Sequence, residues 1–406
     1  MAESVLGDTL QGVKVLDLSQ FESAPVMTQA LAWYGAEVVK IEEPVKGDQS
    51  RYAASDMPGV ETFHFLLLNS NKLSATLNLR DERGKEMLRQ MIPKADIFVE
   101  NFAPGTIERL GFSYEQVSAI NPRIIYVQVK GYGTGSPYFR LLAFDMTVQA
   151  MGGAMSITGT PETPPMRSGP TFGDTGAGMH CLSGILAALY QRHFTGRGQR
   201  IDVAMQECVV NFCRLAYAHQ YLLGGAVPRT GNRDWLGKMV PADAYPCTPF
   251  GPNDYCYIEC DSEEHWERLL RAMDRQDLLG DPRFATVETR LAHLDEVDRV
   301  IGEWTRNYPK DEVFRILGES GVPAGAVLDT RELADDPELR RRRSFVTIKH
   351  PTRGELVIPG WPVKLSRSAA EVVRSPLLGE HNARVYREWL GLDEVQLAHL
   401  RAENVV

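Results

Sequence analysis

The chain has 406 residues, 43% hydrophobic and 24% charged, the make-up of a soluble globular protein with room for two or three domains. Its net charge is −9 and its pI 5.6. The only dense basic run, Arg340–Arg343, follows the acidic Asp335–Glu338 and reads as a solvated helix end, so nucleic acid is not an expected partner. No run of about 18 apolar residues occurs, and Met1–Asp8 has no basic segment followed by an apolar one. No membrane partner is expected, and the expected location is the cytoplasm.

The N-terminal third alternates strands and helices. Val13–Leu18 reads as a buried strand, Pro25–Trp33 as a helix and Glu37–Ile41 as a second strand. Ala75–Leu79, Ala95–Glu100 and Ile124–Val129 continue the strands, with a helix over Asp81–Met91. This alternation predicts an α/β fold: a large, doubly wound, Rossmann-like domain. No GxGxxG follows the first strand, so NAD and FAD binding lack support. A long helix begins near Asp174, its predicted buried stripe being Leu182, Ile185, Leu186 and Leu189. It stops at the turn Thr195–Gly198. A strand at Arg200–Val203 and one helix over Met205–Leu223 follow, broken by Gly224-Gly225. Strands near Tyr255–Ile258 and acidic helices over Glu263–Met273 and His293–Asn307 suggest a smaller α+β domain, with Gly321–Gly325 as the return linker. The expected divisions are 1–224, 225–325 and a C-terminal segment, 326–406, returning to the large domain.

The six cysteines form no CxxC pair and no His cluster accompanies them, so no metal site is expected. Cys181, Cys208 and Cys213 fall in apolar helical stretches and read as core thiols.

Asp174 stands among Gly173, Gly176 and Gly178 at a helix start. It could simply cap that helix. Alternatively, the partial positive charge of the helix N-terminus keeps its carboxylate ionised and nucleophilic at neutral pH.

Four segments, in order, decide between these readings. They are Gly35–Glu42, Leu68-Asn69-Ser70-Asn71-Lys72, Val99–Gly105 continuing to Arg109–Phe112, and Gly173–His180. With the ending Pro376–His381 they resemble the class III CoA-transferase (CaiB/BaiF) family over about residues 10–400. The chain is similar overall to the formyl-CoA:oxalate members but lacks their glycine-run loop, having Thr230–Lys238 in that region. The resemblance implies a CoA-transferase with two interlocked chains, either two copies of this chain or this chain with a related second subunit. Acyl-CoA is then a substrate, with no permanently bound cofactor. It makes Asp174 the nucleophile and carries CoA contacts onto Ser23, Leu68, Asn69, Ser70, Asn71, Asn101, Phe102 and Arg109. Lys72 is a further candidate, against the alternative that it and Arg109 are ordinary surface charges. The backbone at Gly173 and Gly176 would hold the oxyanion. His180 and His381 are expected to be structural, since carboxylate chemistry needs no imidazole.

Three departures bear on substrate. Two positions that contact CoA in the oxalate enzymes, a glutamine and an arginine, are Glu22 and Glu43 here. The family's racemases need a histidine where this chain has Phe144, which cannot take a proton. Asp145 beside it is titratable. Arg229, Arg233 and Lys238 could grip a second carboxylate. The expectation is therefore transfer from succinyl-CoA to a C4 or C5 dicarboxylate such as malate, mesaconate or citramalate. The alternatives are formyl-CoA or acetyl-CoA with oxalate, and 2-methylacyl-CoA racemisation.

Overall fold

Val15 and Leu16, the middle of the first strand, are wholly buried, as a strand covered on both faces requires. A computed structural model describes residues 9–368 and 370–406. Met1–Asp8, read above as lacking a leader, lie outside the described residues. The strands β1 (Lys14–Asp17), β2 (Glu37–Glu42), β3 (Leu73–Thr76), β4 (Ile97–Glu100), β5 (Ile125–Lys130) and β6 (Arg200–Ala204) form one sheet. Its order is β3-β2-β1-β4-β5-β6, and every neighbouring pair is parallel. This is the Rossmann order.

The chain divides into two compact units, residues 1–153 with 168–212 and 337–406, and residues 154–167 with 213–336. In the first, β10 (Phe345–His350) and β11 (Gly354–Pro359) pair as a hairpin. The chain then returns to the edge strand β3. Exposed strand edges offer unpaired backbone groups. Here His381 Nδ1 accepts the Ser74 N–H at 3.2 Å and Asn382 Oδ1 accepts that of Thr76 at 2.8 Å. The structural role expected of His381 is thus visible. Tyr386 and Trp389 then enter the core with Leu16, Phe98 and Phe112.

The second unit holds the antiparallel sheet of β7 (Ala242–Pro246), β8 (Tyr255–Glu259) and β9 (Ala324–Ala326). Its core joins Ile258 to Trp266, Leu269, Val297, Ile301, Val313 and Leu317.

Several local expectations need correction. The return expected at Gly321–Gly325 ends instead in β9, whose Gly325 pairs with Tyr257. The single helix over Met205–Leu223 is two, Met205–Phe212 and Arg214–Leu223, broken at Cys213 where the chain passes between units. Cys213 is only half-buried rather than a core thiol. The strand sought at Ala75–Leu79 is Leu73–Thr76, because the chain turns at Asn78, whose Oδ1 accepts the Arg80 N–H, ahead of the helix that Asp81 caps. On the Asp174–Thr195 helix, Leu186 is 38% exposed, and the buried face runs through Cys181, Leu182, Ile185 and Ala188.

Candidate active site

Where strand order reverses in a doubly wound sheet, the loops leaving two adjacent strands diverge and open a crevice. The reversal here lies between β1 and β4. The loops that follow them frame a cleft of about 400 Å³, with Gln20, Phe21, Ser23, Asn101, Phe102, Thr106, Lys130, Phe144 and Asp174 in its wall.

Asn101 ties the two loops together. Its Oδ1 accepts the Gln20 N–H at 2.8 Å and its Nδ2 donates to the Gln20 carbonyl at 2.7 Å. Nδ2 also reaches Ser23 Oγ at 3.3 Å. Lys130, at the end of β5, donates to the Glu100 carboxylate and to the Phe102 carbonyl, fixing the exit of β4. Phe21 has φ of 60°, a left-handed conformation that costs a bulky residue roughly 1–3 kcal/mol. Asp48 Oδ1 holds its N–H at 3.1 Å. The Phe21 ring meets Phe144 edge-on at 6.0 Å. Strain at a cleft wall marks a backbone held in place by its surroundings.

Asp174 is not the cap of its helix. The N-cap is Gly173, which has no side chain, and Asp174 opens the first turn. The capping is done from outside. Asp145, buried at the start of the Asp145–Met151 helix, accepts the Gly173 N–H at 2.8 Å and the Asp174 N–H at 3.3 Å on Oδ1. Gln149 donates to its Oδ2 at 2.8 Å. The Asp174 carboxylate is thereby left to the cleft.

That carboxyl does not match the expectation of an ordinary ionised aspartate. Burial, then Glu22, then Asp145 push it up to about 7, against the weaker pull of His64 and the Asp145 backbone. Desolvation and two like charges outweigh the helix terminus. The neighbouring Glu22 goes the other way. Burial raises it, but His64 and the hydroxyls of Thr171 and Thr175 together hold it below the usual range.

The glycines serve packing. A Cβ at Gly173 would come within 2.4 Å of Val148, at Gly176 within 2.4 Å of Phe212, and at Gly178 within 2.2 Å of Val26. Gly178 lets this helix start lie against the first helix, Pro25–Trp33, while Gly173 and Gly176 make room for side chains of the helices Asp145–Met151 and Met205–Phe212. His180 is structural as expected. Its Nδ1 lies 2.7 Å from the Gly176 carbonyl and its Nε2 2.6 Å from Asn211.

Of the residues singled out by sequence, Ser23, Asn101, Phe102 and Asp174 meet at the cleft. Arg109 is exposed and does not line it, but donates to Oγ1 of the lining residue Thr106 at 2.9 Å. Leu68, Asn69, Ser70, Asn71 and Lys72 do not line it. Lys72 is wholly internal: its Nζ reaches Asp17 at 3.0 Å, Asn69 Oδ1 at 2.8 Å and the Pro25 carbonyl at 3.1 Å. Ser70 Oγ takes a bond from Gln29. Asn71, with φ of 66°, holds Glu371 and Val373 of the C-terminal segment. In the second unit, Arg233 is paired with Asp243 at 3.1 Å and Asp298 at 2.7 Å. Arg229 donates to the carbonyls of Thr160 and Thr163, and Lys238 lies 3.7 Å from Glu288. Sequence reasoning missed Gln20, Gln49, Thr106 and Lys130, all in the cleft wall. Their sole sequence signal is position just after a strand of a parallel sheet, or at its end. Among the described residues no His, Cys, Asp and Glu cluster could hold a metal. Nor is any helix among them long and apolar enough to cross a membrane.

A Rossmann-ordered sheet with a carboxylate aimed into its switch-point cleft is the framework of an enzyme that works on a bound small molecule. A family model described as CoA-transferase family III matches residues 10–382, and the chain belongs to that family, a class III CoA-transferase. A Streptomyces avermitilis protein named formyl-CoA:oxalate CoA-transferase is 44% identical, covering 98% of this chain and 99% of its own. Proteins of that name from Bradyrhizobium sp. and Escherichia coli O157:H7 are 40% and 38% identical, covering 96% and 98% of this chain and 96% and 99% of their own. Among solved structures, a CaiB/BaiF family protein from Brucella suis superposes with a TM-score of 0.84 at 29% identity, over 94% of this chain and 99% of its own. Rv3272 from Mycobacterium tuberculosis gives 0.77 at 26%, over 92% and 97%.

Proposed function

We propose that the chain transfers CoA from formyl-CoA to oxalate, with Asp174 as the covalent nucleophile. The observation that carries the mechanism is the outside cap. Asp145 relieves Asp174 of any capping task and leaves its carboxylate facing the cleft. The choice of substrates rests on relatives of that name at 38–44% identity over nearly full length.

The chemistry balances without an outside reagent. An Asp174 oxygen attacks the thioester carbonyl and expels CoA thiolate, giving a mixed anhydride. The thiolate attacks the aspartyl carbonyl, the anhydride C–O bond breaks, and the donor acid leaves as its carboxylate. An aspartyl-CoA thioester remains. The acceptor carboxylate then attacks that thioester, CoA thiolate leaves again, and its attack on the acceptor acyl carbon returns Asp174 as carboxylate. Each tetrahedral oxyanion needs a donor. The Gly173 N–H can serve only when released from Asp145; the Gly176 N–H, further into the turn, is the second candidate. Ser23, Asn101, Phe102 and Arg109 are the residues for CoA, Arg109 by pairing a phosphate.

The longer dicarboxylates expected from Arg229, Arg233 and Lys238 lose their support, because these cations already have partners within the second unit. Racemisation is disfavoured by Phe144, an apolar ring in the cleft wall. An interlocked homodimer is supported by large exposed apolar side chains, Leu215 at 68%, Tyr221 at 85% and Leu222 at 72%. Light scattering on the purified protein reads its mass directly.

The test is incubation with formyl-CoA, succinyl-CoA or acetyl-CoA against an acid panel, with the mass of the Asp174 peptide followed. An adduct on that peptide with formyl-CoA, and oxalyl-CoA as product, is expected. Full transfer by Asp174→Ala sinks the reading.

A further inference from the structure

Glu22 and His64 stand beside Asp174 with no part in the steps above. Glu22 lies on the turn before the Pro25–Trp33 helix, and His64 on the short helix Phe63–Leu68. The two oxygens of Glu22 face different ways. Oε1 accepts the hydroxyls of Thr171 and of Thr175, the latter at 2.9 Å. These threonines bracket Asp174 in the chain. Oε2 faces His64 Nε2 at 3.6 Å, inside ion-pair range and beyond hydrogen-bond length. That Nε2 is buried without a hydrogen-bond partner among the described residues.

We propose that Glu22 and His64 form a positioning pair for Asp174: Glu22 holds the Thr171–Thr175 segment in place, and the two opposed charges set the field at the Asp174 carboxylate. The functional meaning of the pair rests on the reading of Asp174 as nucleophile. The groups that face Asp174 are Glu22 ahead of the first helix, His64 on the short helix and Asp145 on the Asp145–Met151 helix; Asp48 also faces His64. The two members act with opposite sign. Glu22 disfavours ionisation of Asp174 and protonated His64 favours it. His64 itself is raised, by Glu22 first and against the effect of its burial, so it stays protonated to higher pH than a free histidine.

Because both threonines bond one oxygen, Glu22→Gln keeps the acceptor they use and removes the charge. His64→Gln removes the opposing charge at a half-exposed site, where folding is least at risk. Trypsin cleavage after Arg167 and Arg192 releases residues 168–192, in which Asp174 is the sole side-chain carboxyl. Carbodiimide coupling, which consumes the protonated acid, can then be read by mass against pH in the unliganded protein, with no substrate needed. The wild-type midpoint is expected near 7. Glu22→Gln should move it down by about one pH unit and His64→Gln up by about half a unit. A purely structural role moves neither. Unmoved midpoints, or both moving the same way, overturn the proposal. A formyl-CoA adduct on the same wild-type peptide is scored separately, so failure of the nucleophile reading is distinguishable from failure of the pair.

Discussion

Asp145 Oδ1 lies 3.3 Å from the backbone nitrogen of Asp174 and 2.8 Å from that of Gly173. One carboxylate therefore caps the helix that carries the other. Asp145→Ala should cost about 1–2 kcal/mol, as lost caps do, and lower kcat by roughly 100-fold through misplacement of Asp174. Asp145→Asn keeps an acceptor and should recover most of the stability. Denaturant midpoints beside transfer kinetics for the pair of variants check this. A full-speed Asp145→Ala enzyme contradicts the assignment.

Transfer should rise with pH through about 7, because the proposed mechanism needs the carboxylate and its proton is held to about that value. Stability should run the opposite way. The folded carboxyl is raised above its unfolded value of 3.8, so the folded state keeps the proton longer. Stability then falls as pH climbs from about 4 towards 7, at up to about 1.4 kcal/mol per unit. Asp174→Asn carries no such penalty. It should match wild type near pH 4 and melt higher at pH 8, while losing transfer. Thermal scans at both pH values decide the matter; equal melting at pH 8 removes the basis for the raised carboxyl.

Lys72 is wholly buried against Asp17, with Thr28 Oγ1 donating to the same carboxylate oxygen at 2.6 Å. Breaking a buried pair by removing one member typically costs about 3–5 kcal/mol. Lys72→Met should be destabilised by that amount, and Lys72→Met combined with Asp17→Asn should regain part of it. Donor KM in whatever fraction folds should stay within about twofold, since the ammonium does not reach the cleft. A large rise in donor KM with unchanged stability restores the CoA-contact role for Lys72.

Much of this is legible in the sequence. The strands Val13–Leu18 and Ile124–Val129 announce a parallel sheet through their alternation with helices, since parallel strands need a crossover. The motif around Asp174 stands out because three glycines within six residues of a helix start are costly without a reason for close approach. What sequence hides is direction. Lys72 and Asn71 occupy a motif, yet one faces the interior and the other the C-terminal segment, and only the local backbone decides that. The cap from Asp145 joins residues 28 positions apart. The break at Cys213 sits inside an uninterrupted helical pattern, where tertiary context overrides propensity.

Arg233 gives the last test. Its guanidinium sits between Asp243 and Asp298, and Asp298 also takes the Tyr245 hydroxyl at 2.8 Å. Arg233 is about one-third exposed, so screening trims its pairs to a modest worth. Removal nevertheless leaves two carboxylates facing each other without a cation. Arg233→Ala should therefore destabilise the protein by about 1–2 kcal/mol, with acceptor KM unchanged. Arg233→Lys, lacking the fork, should recover only part of the loss. If Arg233 instead binds the far carboxylate of a C4 or C5 acid, Arg233→Ala raises acceptor KM by about tenfold or more with little change in melting. Measuring both quantities on the same preparations separates a structural clamp from a substrate anchor, and with it oxalate from the longer acceptors.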